Sequence, residues 1–325
     1  MPDASRNHNR SLRTSAGRSY RPCAASARRS GFSRSLALFA LTGLLTTGCC
    51  SLSWRPDARE VIAARDLVGR GLEAQQDGDD QEAIQLFNQA VAICPDDERC
   101  RQHYAEALWR QGQRDEAISQ MVEAVRLSGD DPLLLVRLGE MQLQMGDPDG
   151  ALRHADRALA RRDNLAAAWA LRGEVLHRRG DLHGALACYH RALRYEPRNP
   201  PVQIATAAIQ RDLGRPERAL AVLDAAIDQF SPGPAPPEIL AHHGLTLKAL
   251  GRYEEAVASL LAATEAGAHP EIAYQLAEAR FLAGDVAGAS LAVRQVLERD
   301  PYHARARQLD SALREQAPVA VHWAR

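Results

Sequence analysis

A Gly and an Ala five residues apart recur seven times along the chain, as Gly78/Ala83, Gly112/Ala117, Gly146/Ala151, Gly180/Ala185, Gly214/Ala219, Gly251/Ala256 and Gly284/Ala289. The successive Gly spacings are 34, 34, 34, 34, 37 and 33. A fixed period of this length marks a stacked repeat. At 325 residues, length alone suggests about two domains. A stacked array escapes that estimate, because it grows along one axis and needs no single large core. It also leaves little of the chain for a separate catalytic domain of about 50 residues or more.

One period shows what each unit is. In 166–199, Trp169, Gly173 and Leu176 fall on one helical face, Gly180-Asp181 interrupts the run, and Ala185, Tyr189, Ala192 and Leu193 form a second apolar series. Pro197 ends the unit, since proline cannot continue a helix. The pattern predicts helix, tight turn, helix, turn. Seven positions before each turn glycine stands Gly71, Ala105, Gly139, Gly173, Ala207, Gly244 or Ala277. Twelve positions after it stands Ala90, Ala124, Ala158, Ala192, Ala226 or Ala263, with Val296 the exception. Residues this small let helix axes approach closely, and Phe87, Met121, Tyr189, Leu223, Leu260 and Val293 fill the space beside them. Ala155 is undersized at that filling position, which predicts looser packing in the third unit.

The residues Trp169, Gly173, Leu176, Ala185, Tyr189, Ala192 and Pro197 resemble the signature of the tetratricopeptide repeat family. The resemblance implies an all-α fold, a right-handed α-solenoid of seven helix-turn-helix units. These are 64–97, 98–131, 132–165, 166–199, 200–233, 237–269 and 270–303. Arg70, Arg172, Thr206 and His243 depart from the family's first-helix Leu, and Gly129, Asp163 and Ser231 from its terminal Pro. Residues 304–316 read as a capping helix, with Arg305, Arg307, Asp310, Arg314 and Glu315 as its polar outer surface. A tail, 317–325, follows. The proline-rich insertion at 231–237 admits two readings, a lengthened turn or a bend between five units and two.

The N-terminus has a different composition. Residues 1–48 hold eight Arg against one acid, Asp3, for a net charge of +7. The whole chain carries −1, so the remainder carries −8. An acidic body gives no footprint for nucleic acid. Ser35–Thr47 is uncharged and too short for a bilayer core, which takes about 20 residues. An Arg-rich start followed by a short apolar stretch reads as a secretory signal peptide over 1–48. Thr46-Thr47-Gly48-Cys49 resembles the bacterial lipobox. That resemblance implies cleavage after Gly48, lipid on Cys49, a lipid-proximal tether over 49–63, and a place in the cell envelope facing the periplasm, at the outer membrane in preference to the inner. Three alternatives remain open: cleavage without lipidation, an organellar transit peptide, and an uncleaved start from a misassigned initiation codon.

Catalytic and metal signatures are missing. There is no CxxC pair, no HExxH, no phosphate-binding glycine loop and no GxSxG elbow. Neither a metal site nor a cofactor is expected, and the chain reads as a non-enzyme. Cys94 and Cys100 flank the turn between the first two units. In an oxidising compartment they would pair if their Cα atoms came within about 7 Å; otherwise they are two small buried thiols.

What remains is binding. In the family it resembles, the first helices line a concave groove that takes an extended segment or helix of a protein partner. Carrying the groove-facing positions over gives three ladders. The first runs Glu106, Glu140, Glu174, Ala208, Leu245 and Glu278, the second Trp109, Leu143, His177, Arg211, Lys248 and Phe281, and the third Arg110, Gln144, Arg178, Asp212, Ala249 and Leu282. Trp109 and Phe281 are the expected aromatic anchors. Glu106–Arg110 and Glu174–Arg178 also suit simple i,i+4 pairing on a solvated face. The leading expectation is therefore a lipid-anchored scaffold for envelope assembly. The alternatives are a soluble periplasmic or intracellular adaptor and, more remotely, an accessory to glycan processing.

Overall fold

The computed structural model describes residues 57–267 and 269–316, and the fold is α-helical throughout. Fifteen helices occur among the described residues: α1 Ala58–Gln76, α2 Asp80–Ile93, α3 Glu98–Arg110, α4 Arg114–Leu127, α5 Pro132–Gln144, α6 Pro148–Arg161, α7 Ala166–Arg178 and α8 Leu182–Tyr195. The series continues with α9 Pro200–Asp212, α10 Pro216–Asp228, α11 Pro237–Ala249, α12 Tyr253–Glu265, α13 Glu271–Leu282, α14 Val286–Arg299 and α15 Ala304–Gln316. Each odd helix from α1 to α13 pairs with the next in an antiparallel hairpin, and α15 packs on α14. The segment expected to be a signal peptide (1–48), Cys49 and the tail 317–325 lie outside the described residues.

A Gly-Asp dipeptide builds four of the seven hairpins in two steps. At the end of α7, Gly180 takes φ +81°, a conformation only glycine adopts cheaply. Its amide donates to the carbonyl of His177 (2.9 Å) and that of Asp181 to Leu176 (3.0 Å). These two bonds satisfy carbonyls that the helix end would otherwise strand. Asp181 then caps α8 by accepting from the Gly184 amide at 2.9 Å. The same Asp cap starts α2, α6 and α14 through Asp79, Asp147 and Asp285.

The small residues work as their spacing predicts. The Tyr189 ring lies directly over Gly173, Phe87 over Gly71 and Leu260 over Gly244. In the third unit Leu171 of the next first helix reaches over Gly139 instead. Ala155 is fully buried, and Leu171 takes the place beside Gly139 that a larger second-helix residue takes in other units. The tether also ends earlier than predicted. Residues 58–63 are already helix, because Asp57 and Glu60 form a reciprocal capping box ahead of the first repeat.

One apolar core runs without a break from Ala64 to Val175. Beyond it the core divides into smaller clusters, the last of which packs Ala306, Leu309 and Leu313 of α15 on Ala289, Val293 and Val296 of α14. The proline-rich insertion is an irregular connection from α10 to α11, across which α9 and α11 still touch. It is a lengthened turn. No described helix is long and apolar enough to cross a membrane.

Candidate protein-interaction face

First helices of neighbouring units touch one another (α1 and α3, α5 and α7, α9 and α11), while second helices meet to no comparable extent. A stack whose layers differ in this way curves towards the closer layer. The first-helix face is therefore the inner one, where the three predicted ladders lie.

Many of the ladder's polar groups tie one unit to the next. Arg137 binds Glu106 of the preceding unit through two bonds of 2.6 and 2.7 Å, and reaches Glu140 of its own helix at 3.2 Å. Arg178 holds Glu174 at 2.6 Å and donates to the Leu143 carbonyl of the preceding unit at 3.0 Å. Arg110 reaches back to Gln75. Lys248 bonds Gln275 and Glu278 of the following unit, each at 2.5 Å. Arg211 donates to the His242 carbonyl at 3.1 Å and the Thr246 hydroxyl at 3.0 Å. Burial holds His242 well down, to about 4, with the nearby Arg211 charge adding to the effect. The neutral ring can accept from Arg211 through Nδ1 at 3.3 Å.

The second ladder needs correction. Trp109 is only 7% exposed. The Arg114 guanidinium covers its ring at 4.0 Å and that of Arg137 stands 6.0 Å away, so the ring is sealed into the core and is no free anchor. Leu143 is 3% exposed. Phe281 is half-buried against the terminal apolar cluster, while its neighbour Leu282 is exposed.

Glu140, Glu174 and His177 do come together, around an open cavity of about 420 Å³ on the inner face between units 4 and 5. Its floor includes Ala167, Ala170, Val202 and Ala205. Burial raises the Glu140 carboxyl, Arg137 opposes the shift, and the like charges of Glu174 and Glu106 add to it. Tyr189 also lines this cavity. The sequence reading assigned it only to packing.

Cys94 and Cys100 are free, buried thiols rather than a disulfide. Cys94 ends α2 and Cys100 lies in the first turn of α3 with its side chain in the core. Burial pushes both thiols up, Cys100 to about 12, which keeps them protonated and unreactive.

A Ser-His-Asp contact also occurs. Nδ1 of His243 lies 2.9 Å from the Ser259 hydroxyl and Nε2 lies 2.9 Å from Asp224. Ser259 sits in the middle of α12, where backbone amides are spent on the helix, so no oxyanion donors face it. The contact ties three helices together. Among the described residues no cluster of His, Cys, Asp and Glu is arranged to hold a metal.

Comparison with known proteins agrees with this architecture. A tetratricopeptide repeat family matches residues 74–124, 109–175 and 176–235, and a second family of the same description matches 243–304. No curated protein matches the sequence. Among solved structures, a tetratricopeptide repeat protein from Parabacteroides merdae is similar at 13% identity and TM-score 0.59, over 78% of this chain and 99% of its own. PilW, a widely conserved type IV pilus biogenesis factor, is similar at 18% identity and TM-score 0.55, over 61% of this chain and 90% of its own. Pseudomonas aeruginosa pilF follows at 15% identity and TM-score 0.54, over 62% and 91%. At such identities the likeness concerns the fold alone.

Proposed function

The chain belongs to the tetratricopeptide repeat family, and from that premise we propose that it is a non-enzymatic scaffold, lipid-anchored through Cys49 in the bacterial envelope, whose inner face holds a segment or helix of an envelope-assembly partner. The observation that carries this reading is the inner face itself. It runs through seven units, is lined by Glu, Arg and His side chains, and holds an open cavity midway. The carboxylates of Glu106, Glu140 and Glu174 each bond a guanidinium. Each is held in an ion pair on an open face, not in the closed cleft that acid/base catalysis uses. The lipobox-like Thr46–Cys49 supports the anchor.

Two measurements test the reading. Intact mass of the mature N-terminus should show a lipid-modified Cys49; an unmodified start at another residue removes the anchor. A photo-crosslinking residue placed at Gln144 or Leu282, both exposed on first helices, should capture a partner in cells. The same residue at Val122 or Leu291, exposed on second helices, should not. Capture from the second helices alone overturns the inner-face assignment.

A further inference from the structure

The cavity between units 4 and 5 combines three features that point to one kind of occupant. Its apolar lining is made of Ala167, Ala170, Leu171, Val202 and Ala205. Its rim carries the carboxylates of Glu140 and Glu174. Here three carboxylates, those of Glu106, Glu140 and Glu174, share two guanidinium groups, those of Arg137 and Arg178. Glu140 holds the longest of these contacts, at 3.2 Å, to an Arg137 already committed to Glu106. It is therefore the under-compensated charge.

The third feature is independent of charge. Tyr189 is 4% exposed, and among the described residues its phenol has no hydrogen-bond partner. Its ring is fixed over Gly173, and the residue borders the cavity. With no bond to another described residue, the hydroxyl is free to accept from a donor that enters the cavity.

We propose that this cavity receives a Lys or Arg side chain of the bound partner segment, with its methylene stem on the alanine and Val202 floor and its cationic head between Glu140, Glu174 and the Tyr189 hydroxyl. The match is both chemical and geometric. Long cationic side chains bury an apolar stem while the head stays hydrogen-bonded, and both heads are pure donors facing two carboxylates and a phenol oxygen that accept. Burial is the main cause that raises the Glu140 carboxyl, and an added cation offsets the like charges of Glu174 and Glu106 that add to it. The inference rests on the inner face being the partner-binding one and names the residue type recognised there.

The test uses the full chain with ¹³C-methyl alanine and the blocked pentapeptide Ac-Ala-Ala-Arg-Ala-Ala-NH₂. The control is the same peptide with citrulline, a neutral isostere of Arg. The methyls of Ala167, Ala170 and Ala205 should shift with the Arg peptide. Apparent affinity should fall at least about fivefold with citrulline, with Glu140→Gln or with Tyr189→Phe, following the loss of a charge-assisted contact. Tyr189→Phe removes only an unpartnered hydroxyl, so its thermal midpoint should match the wild type. Equal binding of the two peptides, or no shift at those methyls, overturns the proposal. If crosslinking from Gln144 still captures a partner at wild-type yield in the Glu140→Gln chain, the cation pocket fails while the scaffold reading stands. If the inner face captures nothing, the scaffold reading itself fails.

Discussion

At the scale of single residues, the two kinds of glycine in the helices predict opposite outcomes. A Cβ on Gly173 would lie 2.7 Å from the Tyr189 ring, so Gly173→Ala should destabilise the chain by about 1–3 kcal/mol in urea unfolding. A Cβ on Gly69, in exposed α1, meets nothing within 4 Å. Gly69→Ala should stabilise by up to about 1 kcal/mol through helix propensity. His242 gives a pH signature. Its folded pKa of about 4 lies below the ordinary value of about 6.5, so the unfolded chain binds more protons between the two. Stability should therefore fall as pH drops from about 6.5 towards 4, by about 1–3 kcal/mol. His242→Gln should flatten that fall in urea midpoints measured across the range. Single-residue roles were only partly legible in the sequence. The spacing placed Glu140, Glu174 and His177 on one face, and they line one cavity, but the cover of Trp109 by Arg114 and Arg137 was not visible in it. No one-dimensional pattern carries that cover.

At the scale of the helix, the turn dipeptide explains why some hairpins are better made than others. Asp79, Asp147, Asp181 and Asp285 each cap the helix that follows. Gln113, Arg215 and Arg252 occupy the same place in the second, fifth and sixth units and form no side-chain cap. Asp181→Ala should cost about 1 kcal/mol, and Arg215→Asp should add about 0.5–2 kcal/mol by supplying the missing cap. Paired thermal midpoints check both. Helix existence and order were legible because the Gly and Ala positions recur. The early start of α1 was not, since its Asp57/Glu60 capping box lies outside the repeat. The departures Thr206 and His243 were visible as substitutions, yet their consequence needed the structure. Thr206 bonds back to the Val202 carbonyl, and His243 links Asp224 to Ser259.

At the scale of the whole molecule, the core is unevenly distributed. It is continuous from Ala64 to Val175 and divided beyond, and the buried polar side chains Gln203, Thr206, Gln210 and Thr246 all belong to α9 and α11. In stacked repeats stability is a sum of unit and interface contributions. Amide exchange should therefore be slowest in α3 to α7 and faster from α9 onward; uniform protection along the array would contradict this. The ties between units have a further consequence. Glu106–Arg137, Arg178 to the Leu143 carbonyl, Arg211–Thr246 and Lys248–Glu278 are four different chemistries at four joints. The period is shared, but the joints are not interchangeable. Excising one unit keeps the helical rhythm while setting mismatched side chains against each other at the new joint, so the repeats no longer behave as beads that can be removed or reordered. Units that share a rhythm are addressed parts, fitted to their own neighbours.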